Sequence, residues 1–492
     1  MKKLLIAFVI IFSFVLLSEI YANNLYFDKP VTIIKDISFL KINKGDNNRL
    51  ILTLLKKEND AYAIYLTLRN PEGRYEEIKK IFGPIKTKNP STINPTGAIT
   101  ENRIFVTWMG TDNKVYFTKS EDSGQTFLNP RVIISSAQTI AMPTIFYNNK
   151  KIFVFYHQKA AGMLRVQIAY ITSTDGGGNF SSPTDLVDTY SFSVSPTFYF
   201  IGNSIHMFWE SRPPIREGQV NIPFEIYYKF SNNNGDTWSR EDIRLTANHR
   251  NNNNPTVFYD NNIFYIVWES NADGNFAIYM MKLKPFASAR PADQKYYKIS
   301  KTASNCRYSR VIKKGNILYI FWEDSRDVGQ PNIYYNSFNI NTSENEAVGE
   351  DRNAVFSRNP SSHPYPVIFK DTATLIYLEK TGAVYNLNER QPDNSTENIH
   401  LSIVGQDKNT LKVNSRQVTF MWKKIEDTSG ISKIYFSIDN NPETTPEMLE
   451  TNEIPSNDTS IKQVFQDGTY YFHIFYIDKA GNKSKVEHAK FV

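Results

Sequence analysis

Short apolar runs, each bounded by polar turn residues, recur along most of the chain. Clear examples are Asn102–Trp108, with the sequence NRIFVTW, and Asn316–Trp322, with the sequence NILYIFW. Their β-branched and aromatic residues favour strands, and the flanking Asn, Asp and Gly residues favour turns. Equivalent runs end at residues 54, 108, 156, 209, 268, 322 and 377, so the separations are 54, 48, 53, 59, 54 and 55 residues. This repeat length predicts the blades of a β-propeller.

Each repeat contains four apolar segments in the same order, as expected for one four-stranded antiparallel blade. The run ending in Trp or Tyr is the second segment. The first segment often contains a Pro-Thr pair, and we expect the proline to open the strand, where it costs no ladder hydrogen bond. These pairs are Pro95-Thr96, Pro143-Thr144, Pro196-Thr197 and Pro255-Thr256.

The two ends of the repeat region complement each other. The seventh repeat stops after its third segment, near Leu387, whereas Asp28–Ile34 precedes the first repeat and resembles a fourth segment. We therefore predict an all-β, seven-bladed propeller closed by an N-terminal strand, with six blades as the alternative. Closure of this kind leaves no unpaired strand edge.

Composition restricts the class of protein. Hydrophobic residues make up 41% and charged residues 22%, which is sufficient for a folded core. The single cysteine, Cys306, excludes an intrachain disulfide framework and a cysteine-cluster zinc site. The 56 basic and 50 acidic residues are dispersed, so nucleic-acid binding is not indicated. The seven histidines show no metal-ligand spacing, and we expect neither a metal nor a cofactor.

The N-terminus has the pattern of a signal peptide. Lys2 and Lys3 precede an apolar run, Leu4–Leu17, and Ala22 offers a small residue for cleavage. We predict export to the periplasm, the cell surface or the medium, with an uncleaved anchor as the alternative. No later segment is apolar enough to span a membrane, and we expect a monomer.

Three turn motifs lie between the third and fourth segments of consecutive repeats. Ser120–Phe127 reads SEDSGQTF, Thr172–Phe180 is interpreted as a copy expanded by one residue, and Ser231–Trp238 carries Asn233 in place of the aspartate. They resemble the Asp-box of sialidases and related BNR-repeat propellers, which implies a structural turn on the face opposite the usual binding site. The structural residues are Ser120, Asp122, Gly124, Phe127, Asp175, Gly177, Phe180, Ser231, Asn233, Gly235 and Trp238.

Beyond residue 390 the rhythm changes. A polar linker, Gln391–Ser395, leads into alternating segments and the hairpin sequence Asp478–Asn482. These features resemble bacterial Ig-like or fibronectin-like modules, which implies a β-sandwich. The predicted domains are a signal peptide at 1–22, an Asp-box propeller at 23–390 and a sandwich at 391–492.

Candidate ligand-binding residues follow from the topology, because the loops between second and third segments lie on the face opposite the Asp-box turns. Carboxylates and arginines that follow the tryptophans, or precede the next blade, could converge there. The alternative is that these acids and arginines pair between blades, with Trp209, Trp268 and Trp322 in the core. The candidates are Glu210, Arg212, Arg216, Arg250, Glu269, Arg307, Glu323, Asp324, Arg326 and Arg358.

The sialidase resemblance implies an arginine triad that grips a substrate carboxylate, a tyrosine nucleophile activated by a glutamate, and an aspartate acid/base. Arg250, Arg307 and Arg358 could supply the triad. The family's N-terminal F/Y-R-I-P motif is missing, because Asn221–Phe224 reads NIPF. We therefore assign no catalytic residue.

Three functions remain open. We expect an exported, non-catalytic module that binds a glycan or a protein on its loop-rich face. The alternatives are an exo-α-sialidase-like glycoside hydrolase and a structural component of the envelope without a ligand.

Overall fold

The computed structural model describes residues 24–159, 166–187, 192–212, 222–287, 294–302, 304–327, 330–342, 348–355, 357–444 and 452–492. The predicted signal peptide lies outside these residues. The chain forms two compact units, one spanning Val31–Glu389 and the other containing Arg390–Val492 with the described residues up to Pro30. The part of the chain that the structure describes contains no helix with the length and hydrophobicity needed to cross a bilayer.

The first unit is a β-propeller of seven four-stranded antiparallel sheets, here called blades 1 to 7. Two short 3₁₀ helices, Asp46–Asn48 and Pro90–Thr92, lie between strands. A single strand, β1 (Val31–Ile37), comes first in the chain. The blades comprise β2 (Phe39–Lys44), β3 (Leu50–Glu58), β4 (Ala61–Arg69) and β5 (Lys79–Ile85); β6 (Thr96–Thr100), β7 (Arg103–Met109), β8 (Lys114–Ser120) and β9 (Arg131–Ser135); β10 (Thr139–Asn148), β11 (Lys151–Lys159), β12 (Gln167–Ser173) and β13 (Thr184–Asp185); β14 (Ser193–Ile201), β15 (Ser204–Ser211), β16 (Glu225–Ser231) and β17 (Ile243–Arg244); β18 (Asn252–Asp260), β19 (Ile263–Asp273), β20 (Asn275–Leu283) and β21 (Tyr297–Lys298); β22 (Arg307–Lys314), β23 (Ile317–Asp324), β24 (Asn332–Asn339) and β25 (Arg352–Val355); and β26 (Ser361–Phe369), β27 (Thr372–Thr381) and β28 (Val384–Arg390).

The N-terminal strand closes the ring. β1 pairs antiparallel with β28, and Val31 lies opposite Glu389. Blade 7 therefore takes three strands from the end of the repeat region and one from its beginning. This arrangement confirms the predicted seven blades and the predicted closure.

The apolar cores lie between neighbouring blades rather than within single sheets. One cluster joins Phe117 of blade 2 to Ile152 of blade 3, and another joins Ile278 of blade 5 to Trp322 of blade 6. Because the second strand of each blade is covered on both faces, it reads as a continuous apolar run instead of an alternating one. Trp209, Trp268 and Trp322 are buried at these interfaces.

The Pro-Thr pairs do not open their strands, contrary to the sequence-based prediction. In blades 3, 4 and 5 the first strand begins three or four residues earlier and passes through a β-bulge at the proline. Blades 6 and 7 carry the bulge at the same place. A bulged residue leaves the ladder, so the proline is accommodated without the loss of a paired N–H group.

The three Asp-box-like turns share one set of hydrogen bonds. In the first, Ser120 Oγ donates to Asp122 Oδ1 at 2.7 Å and accepts from the N–H of Gly124 at 2.8 Å. Asp122 Oδ1 also accepts the N–H of Thr126 at 2.9 Å. In the third turn, Asn233 Oδ1 accepts the equivalent N–H, from Thr237, at 2.9 Å.

The second turn corrects the interpretation of an expanded copy. Ser173 Oγ donates to Asp175 and accepts from the N–H of Gly177, and the N–H of Asn179 donates to Asp175. Ser173 therefore occupies the position of Ser120, and the turn has the same length as the other two. The aromatic that follows each turn, such as Phe180, packs into the core shared with the preceding blade.

Replacement of Asp122 tests this turn. The hydrogen bonds from Thr126 and Ser120 lower the pKa of Asp122 to about 2. A carboxyl with a depressed pKa stabilises the fold above its unfolded pKa, and this contribution is lost as the pH falls through about 2. In urea unfolding we expect Asp122→Asn to retain a near-native midpoint at pH 7, as in the third turn, and Asp122→Ala to lower it. Equal midpoints for the two variants would contradict a hydrogen-bonding role.

The second unit is a β-sandwich of one three-stranded and one four-stranded sheet. Its core includes Phe420, Trp422, Phe436, Phe472 and Ile474. The strands are β29 (Leu401–Ile403), β30 (Gln417–Trp422), β31 (Ile431–Asp439), β32 (Asn452–Ile454), β33 (Ser460–Val464), β34 (Tyr470–Asp478) and β35 (Glu487–Phe491).

Candidate ligand pocket at the propeller axis

The first strands of the seven blades surround a pocket of about 410 Å³ at the propeller axis. It opens on the face opposite the Asp-box-like turns, where the first strands begin. The residue at each bulge lines its mouth, and this residue has a positive φ angle in blades 2 to 7. The mouth ring consists of Phe39, Asn94, Met142, Ser195, Asn254, Tyr308 and His363.

A second ring lies two residues further along each first strand. Its members occupy one register position, because each lies opposite the residue that precedes the repeated Trp or Tyr of the second strand. Five members, Lys41, Thr144, Thr197, Arg310 and Tyr365, line the pocket. The complete inner ring is Lys41, Thr96, Thr144, Thr197, Thr256, Arg310 and Tyr365.

The pocket carries two cations and no acid. Within the described part of the chain, its lining includes Lys41 and Arg310 but no aspartate or glutamate. Arg310 donates Nη1 to the main-chain oxygen of Ser309 at 2.8 Å. Among the described residues, no carboxylate lies within ion-pairing distance of either cation. The pocket is therefore electropositive.

Enclosure by the blades shifts the pKa values of the lining groups. Arg310 is accessible from the channel, yet protein surrounds it, and this burial lowers its pKa. Burial, together with the charge of Arg310, lowers the pKa of Lys41 to about 8. Burial, assisted by neighbouring cations, lowers the pKa of both His157 and His363 to about 4. Both histidines are therefore neutral at pH 7, and the charge of the pocket comes from Lys41 and Arg310.

Three of the predicted carboxylates hold the mouth ring in place from behind. Each accepts the backbone N–H of the positive-φ residue in the next blade. Glu210 accepts from Asn254 at 2.8 Å, Glu269 from Tyr308 at 2.6 Å, and Glu323 from His363 at 2.7 Å. A positive φ is unfavourable for these residue types, and the carboxylate contact offsets this strain.

These carboxylates are buried and occupied. Glu269 is fully buried and also accepts hydrogen bonds from Asn254 Nδ2 at 3.0 Å and Arg307 Nη1 at 2.9 Å. Burial raises the pKa of Glu323 to about 7, and the N–H of His363 opposes this effect. The Arg307–Glu269 ion pair joins blades 6 and 5, as in the alternative of pairing between blades.

The remaining predicted residues lie away from the pocket lining. Buried Asp324 binds Arg326 at 2.6 Å, and Arg326 also binds Asp351 at 2.7 Å. Arg212 stacks on Phe224, with 4.3 Å between its Cζ and the ring centroid. Arg250 and Arg358 are exposed. Arg216 lies outside the described residues. Of the predicted arginine triad, no member belongs to the pocket lining in the described chain.

Sequence reasoning missed the pocket residues, although the repeat contained a signal for them. The Pro-Thr pair marks the inner ring at the threonine and the mouth ring at the residue before the proline. Arg310 escapes this pattern because blade 6 has Ser309 where the other blades have proline. Lys41 escapes it because the first strand of blade 1 has no bulge in its pairing with β3.

Comparisons with known proteins are consistent with this architecture but remote. No family model and no curated protein matches the sequence. The chain is similar to the solved structure of polysaccharide lyase Uly1 at 11% identity and a TM-score of 0.47, covering 75% of this chain and 92% of that one. A GH93 α-L-arabinofuranosidase of Fusarium graminearum in complex with arabinobiose matches at 14% identity and a TM-score of 0.43, covering 64% and 98%. A fungal alcohol oxidase of the AA5 family in complex with copper matches at 11% and 0.48, covering 95% and 100%. Function must be argued from the site itself at these levels of similarity.

Proposed function

We propose that the propeller is a binding module that captures an acidic saccharide in the axial pocket. The observation that carries this proposal is the pair of cations, Lys41 and Arg310, in a pocket lined by no acid among the described residues. A guanidinium group binds a carboxylate through parallel N–H donors, and a nearby ammonium group adds a second charge-assisted bond. A carboxylate ligand would supply the countercharge that these two groups lack.

The mouth ring suits the carbohydrate part of such a ligand. Tyr308 is 46% exposed, and its ring stacks on His363 with 5.7 Å between centroids. An exposed aromatic face offers apolar area to the C–H groups of a sugar ring, while its polar edge remains hydrated. Ser195 and Asn254 lie at the same level of the pocket and add polar groups.

The titratable groups favour capture over turnover. An efficient general acid or base has a pKa near the working pH. The pKa values of His157 and His363 are lowered to about 4, and burial raises the pKa of Tyr365. Glu323 has a pKa near 7, but it is engaged with the backbone of His363. The exported location predicted from the N-terminal sequence would place this capture outside the cytoplasm.

A saccharide panel tests the proposal. The full chain is applied to immobilised oligosaccharides of galacturonic acid and N-acetylneuraminic acid, and to neutral oligosaccharides of equal length. We expect retention on the acidic members and its loss in Arg310→Gln. Equal binding of neutral saccharides would contradict the proposal, and release of cleaved product from the panel would favour a hydrolase or a lyase.

The pH dependence of binding should follow Lys41. The lowered pKa of about 8 means that the lysine loses its charge as the pH rises through that value. If only the charged form binds, linkage predicts affinity about tenfold weaker at pH 9 than at pH 6. The Lys41→Arg variant should show a flat profile over this range, because arginine stays protonated. Titration of trigalacturonate at several pH values measures the effect, and an unchanged affinity in the wild type would exclude Lys41 from the contact.

A further inference from the structure

Three aspartates of the sandwich unit converge on one point. Asp393 precedes β29, Asp427 lies between β30 and β31, and Asp478 ends β34. One carboxylate oxygen of each lies within 4.8 Å of the other two. Asp393 is only 6% exposed and Asp478 only 1% exposed, while Asp427 is half-buried.

Local turns hold two of these carboxylates in position. Asp478 accepts hydrogen bonds from the N–H and the Nδ2 of Asn482, at 2.7 and 2.8 Å. Asp427 accepts from the N–H and the Oγ of Ser429, at 2.9 and 2.8 Å. Asn482 Nδ2 also donates to the main-chain oxygen of Asp393 at 3.2 Å, which links the third aspartate to the hairpin.

A separate observation shows that the cluster lacks a partner. Asp393 Oδ2 is buried and accepts no hydrogen bond in the described structure. Among the described residues, no lysine, arginine or histidine nitrogen lies within 4.0 Å of any of the three carboxylates. Buried carboxylates without hydrogen bonds or countercharge are strongly unfavourable. A bound cation would supply what this arrangement lacks.

We propose that Asp393, Asp427 and Asp478 bind a calcium ion. Calcium takes six to eight oxygen ligands at about 2.3–2.6 Å, so ligand oxygens on opposite sides of the ion are about 4.6–5.2 Å apart. The separations of up to 4.8 Å between the three carboxylates fit this sphere. Magnesium holds its oxygens at about 2.0–2.1 Å in a stricter octahedron, which the spread-out cluster fits less well. The ion would tie the segment before β29 to the β30–β31 loop and the end of β34.

Terbium luminescence on the EGTA-treated full chain tests this site directly. Tyr476 Oη lies 3.4 Å from Asp427 Oδ2, so excitation of tyrosine should sensitise a terbium ion bound there. We expect one saturable site per chain, displaced by Ca²⁺, with at least tenfold weaker binding in Asp393→Asn and Asp427→Asn. Asp467→Asn is the matched control, because Asp467 is a highly exposed acid of the same unit. Native affinity in both cluster variants, or no Ca²⁺ competition, would overturn the proposal.

Thermal unfolding separates loss of the ion from loss of the fold. In EGTA, Asp393→Asn should unfold at the wild-type temperature or above it, because the substitution removes one of three mutually repelling charges. Added Ca²⁺ should raise the unfolding temperature of the wild type and leave that of the variant unchanged. An unfolding temperature of the wild type that does not respond to Ca²⁺ would overturn the proposal. These outcomes are independent of saccharide binding in the propeller.

Discussion

Replacement of Arg310 by glutamine is expected to weaken the binding of an acidic saccharide by roughly ten- to a hundredfold, with no loss of stability. A hydrogen bond to a charged group contributes about 1.5–3 kcal/mol, and 1.4 kcal/mol corresponds to a factor of ten. In the free protein Arg310 has no countercharge among the described residues, and burial lowers its pKa. Its removal should therefore leave the unfolding midpoint unchanged or raise it.

Calorimetric titration of trigalacturonate, paired with urea unfolding, measures both effects. Arg416→Gln is the control, because Arg416 is an exposed arginine of the sandwich. Glutamine at 310 can still donate hydrogen bonds, so a pronounced loss would identify charge as the decisive property. A stable variant with wild-type affinity would exclude Arg310 from the ligand contact, whereas a marked loss of stability would show that the arginine has a structural role.

Replacement of Glu269 by alanine is expected to destabilise the propeller by about 3–5 kcal/mol, the usual cost of removing one partner from a buried ion pair. The fully buried carboxylate accepts hydrogen bonds from the N–H of Tyr308, from Asn254 and from Arg307. Alanine would leave these donors unpaired and release the positive-φ backbone of Tyr308. The mouth of the pocket should loosen as a result.

Urea unfolding at pH 7 measures this loss. Glu269→Gln should fall between the wild type and alanine, because the amide oxygen still accepts a hydrogen bond from the backbone. Glu77→Ala is the control, because Glu77 is an exposed glutamate of blade 1. A midpoint for Glu269→Ala close to that of Glu77→Ala would show that the carboxylate does not support the mouth ring.

The repeat in the sequence was sufficient to predict the architecture. The continuous apolar runs predict the buried second strands, and their spacing predicts seven blades. Asp28–Ile34 correctly indicated the closing strand, which the structure places at Val31–Ile37. These features are local or periodic, so they can be read without knowing which side chains meet in space.

The site depends on register, which the sequence pattern did not reveal. Glu269 follows a tryptophan on the loop-rich face, so it was predicted to face a ligand. A bulge in the next blade instead turns the N–H of Tyr308 towards it. The same bulges set the residues at positions 41 and 310 on one ring, although 269 positions separate them in the chain (310 − 41 = 269). Only the pairing of strands brings these two cations together.

The structure of the protein in complex with trigalacturonate tests the central claim most directly. The pocket predicts a ligand carboxylate at about 3 Å from the Arg310 guanidinium group and within hydrogen-bonding distance of Lys41 Nζ. A sugar ring should lie against the exposed face of Tyr308. A saccharide bound instead at the rim, on Arg250 or Arg358, with an axial pocket that contains no ligand, would contradict this account.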